Sequence, residues 1–169
     1  MSRGNRPQGQ ENGHLEQEGA LGENSCHHHL WLSFYRPGRK RLTDVQLSHA
    51  RSPEGFTLGL FVGEYAKEVF REAKARIEAE PEQFLDLVNA LLEQGTWRFS
   101  TYSGAGKSRV QDVWEAPLAS LPEGIGKARG LWVRTMLPRE RVLAWQGALV
   151  RHALKAVGEL WPLYRFLAA

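Results

Sequence analysis

Hydrophobic residues alternate with polar ones in several short segments of the chain, which is the spacing of a β-strand. The clearest case is the segment GFTLGLFV at residues 55–62, in which every second residue from Phe56 onward is apolar and lies on one face. Further β-prone segments lie at residues 30–35, 42–50, 96–102, 110–114 and 131–137. The first three strands in chain order follow one another with short connections, so they predict an antiparallel meander.

Other segments repeat their apolar residues at the spacing of a helix face. The first covers residues 66–77, where apolar side chains recur at i, i+3, i+4, i+7 and i+11. The second begins with a proline, which needs no backbone donor there, and covers residues 81–95, ending at a glycine. The third covers about 138–160, and we expect Pro162 to stop it.

The predicted elements follow the order β-β-β-α-α-β-β-β-α. This order indicates the α+β class: an antiparallel sheet of about five or six strands with three helices packed on it. Residues 1–28 are rich in Gly, Asn, Gln and Glu, so they are predicted to form a disordered N-terminal tail. Residues 29–169 are predicted to form a single α+β domain, because the chain length of 169 suits one core.

Composition and charge narrow the function classes only slightly. Hydrophobic residues make up 42% and charged residues 24%, which is ordinary for a globular protein. The net charge of +3 is mildly basic and favours anionic partners weakly. The single cysteine excludes an internal disulfide and fits a reducing compartment. The polar start has no apolar signal segment and no apolar run is long enough for a bilayer, so we expect a cytoplasmic protein without a membrane partner.

The stretch TYSGAGKSRV, from Thr101 to Val110, ends like a phosphate-binding loop. Thr101 occupies the position of the first glycine of that motif, and the following residues meet Pro117 too soon for a helix. The pattern therefore indicates a flexible hairpin tip without nucleotide hydrolysis. Its two cations, Lys107 and Arg109, are candidate phosphate contacts.

The strongest charge feature is the segment RPGRKR at residues 36–41, a predicted turn just after the aromatic residues of the first strand. Its cations are candidate phosphate-binding residues: Arg36, Arg39, Lys40 and Arg41. A second interpretation is a solvated turn whose cations keep the sheet edge soluble. Three further cations are candidate supporting contacts: Lys127, Arg129 and Arg134.

Candidate residues for metal or catalytic chemistry form no established motif. The run CHHH at 26–29 has the right residue types for zinc, but four consecutive residues cannot converge on one ion, so we expect no metal and no cofactor. Asp44, His49 and Glu64 are candidate catalytic residues because they can approach one another on adjacent strands. His152 is a further candidate, flanked along the last helix by an aromatic and an acidic residue.

From Gly55 to Leu167 the layout resembles an uncharacterised bacterial family of domains of unknown function. The resemblance is carried by GFTLGLFVGE, by the helix ending in Ala75-Arg76-Ile77, by the loop WEAPLASLPEG and by the closing PLYRFL of the last helix. It implies the α+β fold. It implies no reaction and carries over no catalytic residue.

The leading functional hypothesis is a small binding protein that contacts nucleic acid or another polyanion through its basic loops. One alternative is a hydrolase or nuclease-like enzyme with a carboxylate and histidine site. The other is a protein-interaction subunit of a larger assembly, which contacts a protein partner through exposed tryptophans. The candidate tryptophans are Trp114, Trp132 and Trp161.

Overall fold

A computed structural model describes residues 30–104, 110–145 and 147–169. Within these residues the strands are β1 (Leu30–Phe34), β2 (Gln46–Ser52), β3 (Gly55–Val62), β4 (Trp97–Ser103), β5 (Val110–Trp114) and β6 (Gly130–Pro138). The α-helices are α1 (Lys67–Ala79), α2 (Pro81–Leu92), α3 (Arg139–Trp145) and α4 (Ala148–Ala168). Short 3₁₀ turns lie at Arg41–Thr43 and Ile125–Lys127. The α+β class predicted from the sequence is confirmed.

The strands form one antiparallel sheet of six in the order β1-β2-β3-β6-β4-β5. β1, β2 and β3 form the predicted meander, with Phe34 opposite Leu47 and Leu47 opposite Leu60. β6 then enters between β3 and β4, so Phe61 of β3 lies opposite Trp132 of β6. The central pair is therefore made of strands that lie far apart in the chain.

The alternation of residues gives the sheet two chemically different faces. The core face carries the apolar side chains that join the hydrophobic core, namely Leu47, Leu58, Leu60, Val62, Trp97, Phe99, Leu131 and Val133. The residues between them lie on the outer face, which carries Ser48, Gly59, Phe61, Arg98, Ser100, Tyr102, Trp132, Arg134 and Met136. None of these outer-face residues belongs to the hydrophobic core of the described chain.

The helices pack their apolar stripes on the core face. The buried residues of α1 are Val69, Phe70, Ala73 and Ile77, and those of α2 are Phe84, Val88, Leu91 and Leu92. The second half of α4 completes this layer with Leu160, Leu163 and Leu167, each about 1% exposed. Large apolar side chains that leave water in this way are the main source of folding free energy.

The sequence predicted three helices, but the structure has four, because the last predicted helix is divided into α3 and α4. β6 extends to Pro138, α3 ends at Trp145, and α4 continues past Pro162 to Ala168. A proline inside a helix removes one donor and crowds the carbonyl four residues earlier. Here that residue is Gly158, and both Gly158 and Pro162 are exposed, so water can satisfy the carbonyl.

The predicted tail at residues 1–28 lies outside the described residues. Among the described residues, the buried apolar side chains other than Tyr102 and Leu137 join one continuous core. The domain boundary near residue 29 stays a prediction.

One glycine on each of the two central strands, Gly59 on β3 and Gly130 on β6, lets a large side chain lie across the outer face. A Cβ at Gly130 would lie 2.2 Å from the Tyr102 hydroxyl oxygen and 2.3 Å from the Val62 carbonyl oxygen. A Cβ at Gly59 would lie 2.8 Å from Nε1 of Trp132 and 2.6 Å from the Val133 carbonyl oxygen. Glycine inside a strand often marks such a close approach.

We expect Gly130→Ala to destabilise the protein by about 1–3 kcal/mol, the usual cost of overpacking. The added methyl group would meet a backbone carbonyl, which cannot rotate away. Urea unfolding followed by far-UV circular dichroism measures the change. The matched control is Gly126→Ala, where a Cβ meets nothing within 4 Å and the change should stay within about 0.5 kcal/mol. Equal stability of the two variants would contradict this packing.

Candidate functional site

Aromatic side chains from three neighbouring strands meet on the outer face. Phe61 and Trp132 lie opposite each other on β3 and β6, with ring centroids 5.8 Å apart and planes inclined by 69°. The Tyr102 ring from β4 stacks on Phe61, with centroids 6.2 Å apart and planes inclined by 15°. Pairs at these distances and angles attract one another beyond their buried area. We refer to Phe61, Tyr102 and Trp132 as the aromatic row.

The two glycines described above place this row close to the sheet. Trp132 leans across Gly59, and Tyr102 reaches across Gly130 toward Val62. The Trp132 Nε1 atom is buried and has no hydrogen-bond partner among the described residues. Tyr102 is 5% exposed and supports the row from within, whereas Phe61 and Trp132 are each partly exposed.

A pair of arginines lies next to the aromatic row. Arg98 of β4 and Arg134 of β6 are directly opposite each other in the sheet. The Arg134 guanidinium carbon lies 4.2 Å from the centroid of the Trp132 ring, a cation–π contact. We refer to Arg98 and Arg134 as the arginine pair.

The electrostatics of the arginine pair are unfavourable for the protein alone. Partial burial lowers the pKa of Arg134, and the positive charge of Arg98 lowers that pKa further. Arg98 is compensated by an exposed ion pair, 2.8 Å from its Nε to Oε1 of Glu115. Arg134 has no carboxylate partner among the described residues. Like charges directly opposite in a sheet destabilise it, and an anion bound there would offset the cost.

The rest of the outer face carries small polar side chains and exposed apolar ones. Ser100 donates a hydrogen bond to the Trp132 carbonyl oxygen at 3.2 Å, and Ser48 donates one to the Gly59 carbonyl oxygen at 3.4 Å. Both serines are at most 5% exposed, so they fill the spaces between larger side chains. Met136, two residues beyond Arg134 on β6, is 51% exposed. The outer face therefore combines accessible aromatic area with a positive charge that has no carboxylate partner among the described residues.

The basic turn at 36–41 divides into structural and free cations. Arg36 donates to Asp44 through its backbone N–H, its Nε and its Nη2, the last at 2.5 Å, and its Nη1 donates to the Ala168 carbonyl. This contact raises the pKa of Arg36. Arg36 thus ties the turn to the end of α4. Arg39 and Lys40 are exposed and hold no ion pair with a described residue.

The remaining phosphate-binding candidates are only partly described. The side chain of Arg41 and all of Lys107 and Arg109 lie outside the described residues. The basic turn joins β1 to β2 at the end of the sheet where Gln46 pairs with Phe61. β6 begins at that same end, where Val62 pairs with Leu131 and Gly130 pairs with Tyr102. Ser103 of β4 and Val110 of β5 therefore also lie there. Four strand spacings, about 19 Å, separate the β4–β5 strand pair from the β1–β2 strand pair.

Exposed cations also lie near this end of the sheet. Arg129 and Lys127 are exposed, and the Arg129 backbone N–H donates to the Tyr102 carbonyl oxygen at 2.8 Å. Lys127 lies in the 3₁₀ turn whose Gly126 carbonyl accepts a hydrogen bond from Lys74 of α1, on the helix side of the sheet. We refer to Arg39, Lys40 and Arg129 as the basic rim. The aromatic row lies between the basic rim and the arginine pair, because Gly130, Trp132 and Arg134 follow one another along β6.

The contacts of the candidate catalytic residues place them in different surroundings. Asp44 is fully buried and engaged by Arg36. His49 lies on the core face between the rings of Phe34 and Phe56, at 5.7 and 5.9 Å. Glu64 follows the end of β3, and His152 lies on α4 with Trp145 4.9 Å away. Glu159, the acidic neighbour of His152 in the helical repeat, pairs with Lys155 at 3.5 Å.

A cavity lies at the end of α4. It has a volume of about 630 Å³ and is lined by Arg36, Gln83, Leu87, Tyr164 and the end of α4. It contains none of the four candidate catalytic side chains. Residues 30–104, 110–145 and 147–169 hold no cluster of three or more His, Cys, Asp or Glu side chains that could bind a metal. The run at 26–29 lies outside the described residues.

The grouping of Phe61 and Tyr102 with Trp132 and Arg98 was missed from the sequence. A partial signal exists, because WRFSTY and LWVRTM both alternate apolar residues with residues able to meet solvent. That alternation predicts two faces for each strand. It does not predict that β6 lies between β3 and β4, and only this arrangement brings the residues together.

Comparisons with protein-family models, with curated proteins and with solved structures gave no match. The resemblance to a bacterial domain family therefore stays a prediction. None of the described helices combines the length and the apolar character that crossing a membrane requires.

We expect Asp44→Asn to destabilise the protein by about 3 kcal/mol, because it removes one partner of a largely buried ion pair. The change leaves the Arg36 charge without its counter-ion and weakens the link to α4. Urea unfolding at pH 7 measures the effect. The matched control is Asp86→Asn on the exposed side of α2, which should change stability by less than about 0.5 kcal/mol. A small effect at Asp44 would show that the ion pair contributes little.

Burial lowers the pKa of His49 below its ordinary value. The unfolded chain therefore takes up a proton as the pH falls below about 6.5, while the folded protein resists protonation, so stability decreases in acid. His49→Phe keeps an aromatic ring between Phe34 and Phe56 and removes this titration. We expect its unfolding free energy to fall less between pH 7.5 and 5 than that of the unsubstituted protein. Identical pH dependence would contradict the burial of His49.

Proposed function

We propose that this protein binds nucleic acid through the outer face of its sheet, with the basic rim as an additional phosphate contact. The observation that carries the proposal is the Arg134 guanidinium, stacked on Trp132 and opposite Arg98, without a carboxylate partner among the described residues. A partly buried cation in this position is stabilised by an anion from outside the chain.

The aromatic row favours nucleic acid over other polyanions. Phosphate groups need only positive charge, which exposed arginines and lysines supply on many proteins. Bases also offer planar faces, and aromatic rings and arginine planes beside a positive groove are the groups that bind them. Phe61, Trp132 and Arg134 combine both requirements within contact distance.

The basic rim supports the same proposal from a different part of the chain. Arg39, Lys40 and Arg129 are exposed at one end of the sheet, and the arginine pair lies on the other side of the aromatic row. A nucleic-acid backbone that crosses the outer face would contact cations on both sides of the aromatic row. Arg36 is not part of this contact, because Asp44 and the Ala168 carbonyl hold its guanidinium.

A protein-interaction role is a second candidate, favoured by apolar side chains on the surface of the last two helices. Leu143, Val150, Leu154 and Trp161 are between 48% and 67% exposed. Val150, Leu154 and Trp161 lie on one side of α4 at helical spacing, where a partner could bury them. This surface is separate from the outer face, so the two functions are compatible.

The cytoplasmic location and the bacterial family expected from the sequence belong to the same proposal. They are supported by the single cysteine, the mildly basic charge and the layout from Gly55 to Leu167. A nucleic-acid partner is present in that compartment.

The double variant Arg98→Gln/Arg134→Gln tests the nucleic-acid contact. We expect weaker binding of a fluorescein-labelled 12-nucleotide single-stranded thymidine oligonucleotide in anisotropy titrations at 50–200 mM NaCl. The slope of log K against log salt should become shallower by about 0.7, because the arginine pair lies at one phosphate site and each phosphate contact to a single strand contributes about 0.7.

The matched control is Arg71→Gln/Arg151→Gln, which removes the same charge from exposed positions on α1 and α4. Its slope should equal that of the unsubstituted protein. If both double variants weaken binding equally, the effect is one of net charge, and the outer face is not the binding surface. If the unsubstituted protein shows no salt-dependent binding, the proposed function is wrong.

A further inference from the structure

We infer that the aromatic row is a stacking platform for unpaired bases, so that the ligand is single-stranded nucleic acid and not duplex. This inference rests on the proposed function and makes it more specific. It assigns different roles to two groups of residues: Phe61 and Trp132 receive one or two bases, and the arginine pair holds the phosphate beside them.

The platform depends on the glycines beneath it. An ordinary residue at position 59 would collide with Trp132, and one at position 130 would collide with Tyr102. Because both positions are glycine, the rings lie across neighbouring strands and keep close to the sheet. Tyr102 is nearly enclosed and braces Phe61, while Phe61 and Trp132 retain accessible surface. The result is accessible aromatic area at the surface of the sheet.

The spacing of the platform suits one nucleotide beside one phosphate site. Trp132 and Arg134 are two residues apart on the same face of β6, which corresponds to about 6.8 Å along a strand. The guanidinium of Arg134 bends back to 4.2 Å from the indole centroid. A base stacked on Phe61 or Trp132 would therefore have a cation within reach of its own backbone, and Arg98 lies directly across from that cation.

A duplex would not use this surface in the same way. Paired bases bury their planar faces against their neighbours, and only unpaired bases can stack on a protein ring. The rings lie close to the sheet and do not project as a helix would into a groove. A duplex would therefore meet only the cations, and it would gain nothing from the aromatic row.

Charge argues against a second copy of the chain as the occupant. A two-fold dimer through the outer face would place the same patch against itself. The arginine pairs of the two copies would then approach each other, and Arg134 would lie in a still drier environment beside additional positive charge. A polyanion neutralises this charge, so it fits the surface better.

The first test varies the ligand and leaves the protein unchanged. Anisotropy titrations compare three 12-mers: single-stranded thymidine, a strand of abasic sites with the same phosphates, and a blunt duplex. We expect the thymidine strand to bind about 5- to 150-fold more tightly than the abasic strand, the range for one stacked base. The duplex should also bind more weakly than the thymidine strand.

The outcomes separate the inference from the proposed function. If the abasic strand or the duplex binds as tightly as the thymidine strand, with the salt dependence described above, the platform is wrong and the phosphate contact stands. If none of the three ligands binds, both are wrong. If sedimentation shows a dimer that the thymidine strand does not dissociate and Arg134→Gln strengthens, a second copy covers the face and the inference is overturned.

The second test uses Trp132→Leu, with Trp161→Leu as the matched control on an exposed position of α4. Trp132→Leu should weaken binding of the thymidine strand about 5- to 150-fold and leave binding of the abasic strand unchanged. Trp161→Leu should change neither. Phe61→Leu provides an independent variant if Trp132→Leu does not fold, and an equal loss for both ligands would overturn the stacking role.

Discussion

The antiparallel pairing of β3 with β6 is the constraint on which both faces of this protein depend. It sets Leu60 against Val133 on the core face and Phe61 against Trp132 on the outer face. A shift of one residue in this register would exchange the faces and place Trp132 and Arg134 in the core. Burial of the apolar set under the helices therefore also fixes the position of every outer-face residue.

The outer face shows how packing and charge oppose each other at one surface. The aromatic contacts of Phe61, Trp132 and Tyr102 hold the face together without a covering helix from the described chain. The arginine pair works in the opposite direction, because two cations face each other across adjacent strands and one of them is partly dehydrated. A surface that is well packed and electrostatically unfavourable is stabilised by a ligand of opposite charge, which supports the proposed nucleic-acid partner.

The turn at 36–41 shows why charge in a sequence is ambiguous. The sequence does not distinguish its four cations from one another. In the fold, Arg36 is a structural link, whereas Arg39 and Lys40 are exposed. The partner of Arg36, Asp44, was a candidate catalytic residue, and its complete burial in an ion pair gives it a structural role. Neither assignment follows from local pattern, because Ala168 completes the contact from the far end of the chain.

Periodicity alone determined the element types, the α+β class and the two-faced nature of each strand, because side-chain alternation and helical spacing are local properties. It failed at the last helix, where the effect of Pro162 depends on exposure and on Gly158 four residues before it. The tertiary structure decided which strands are neighbours, and with that the aromatic row, the arginine pair and the roles of the two glycines. These features join residues 28–74 positions apart, and only the insertion of β6 between β3 and β4 brings them into contact.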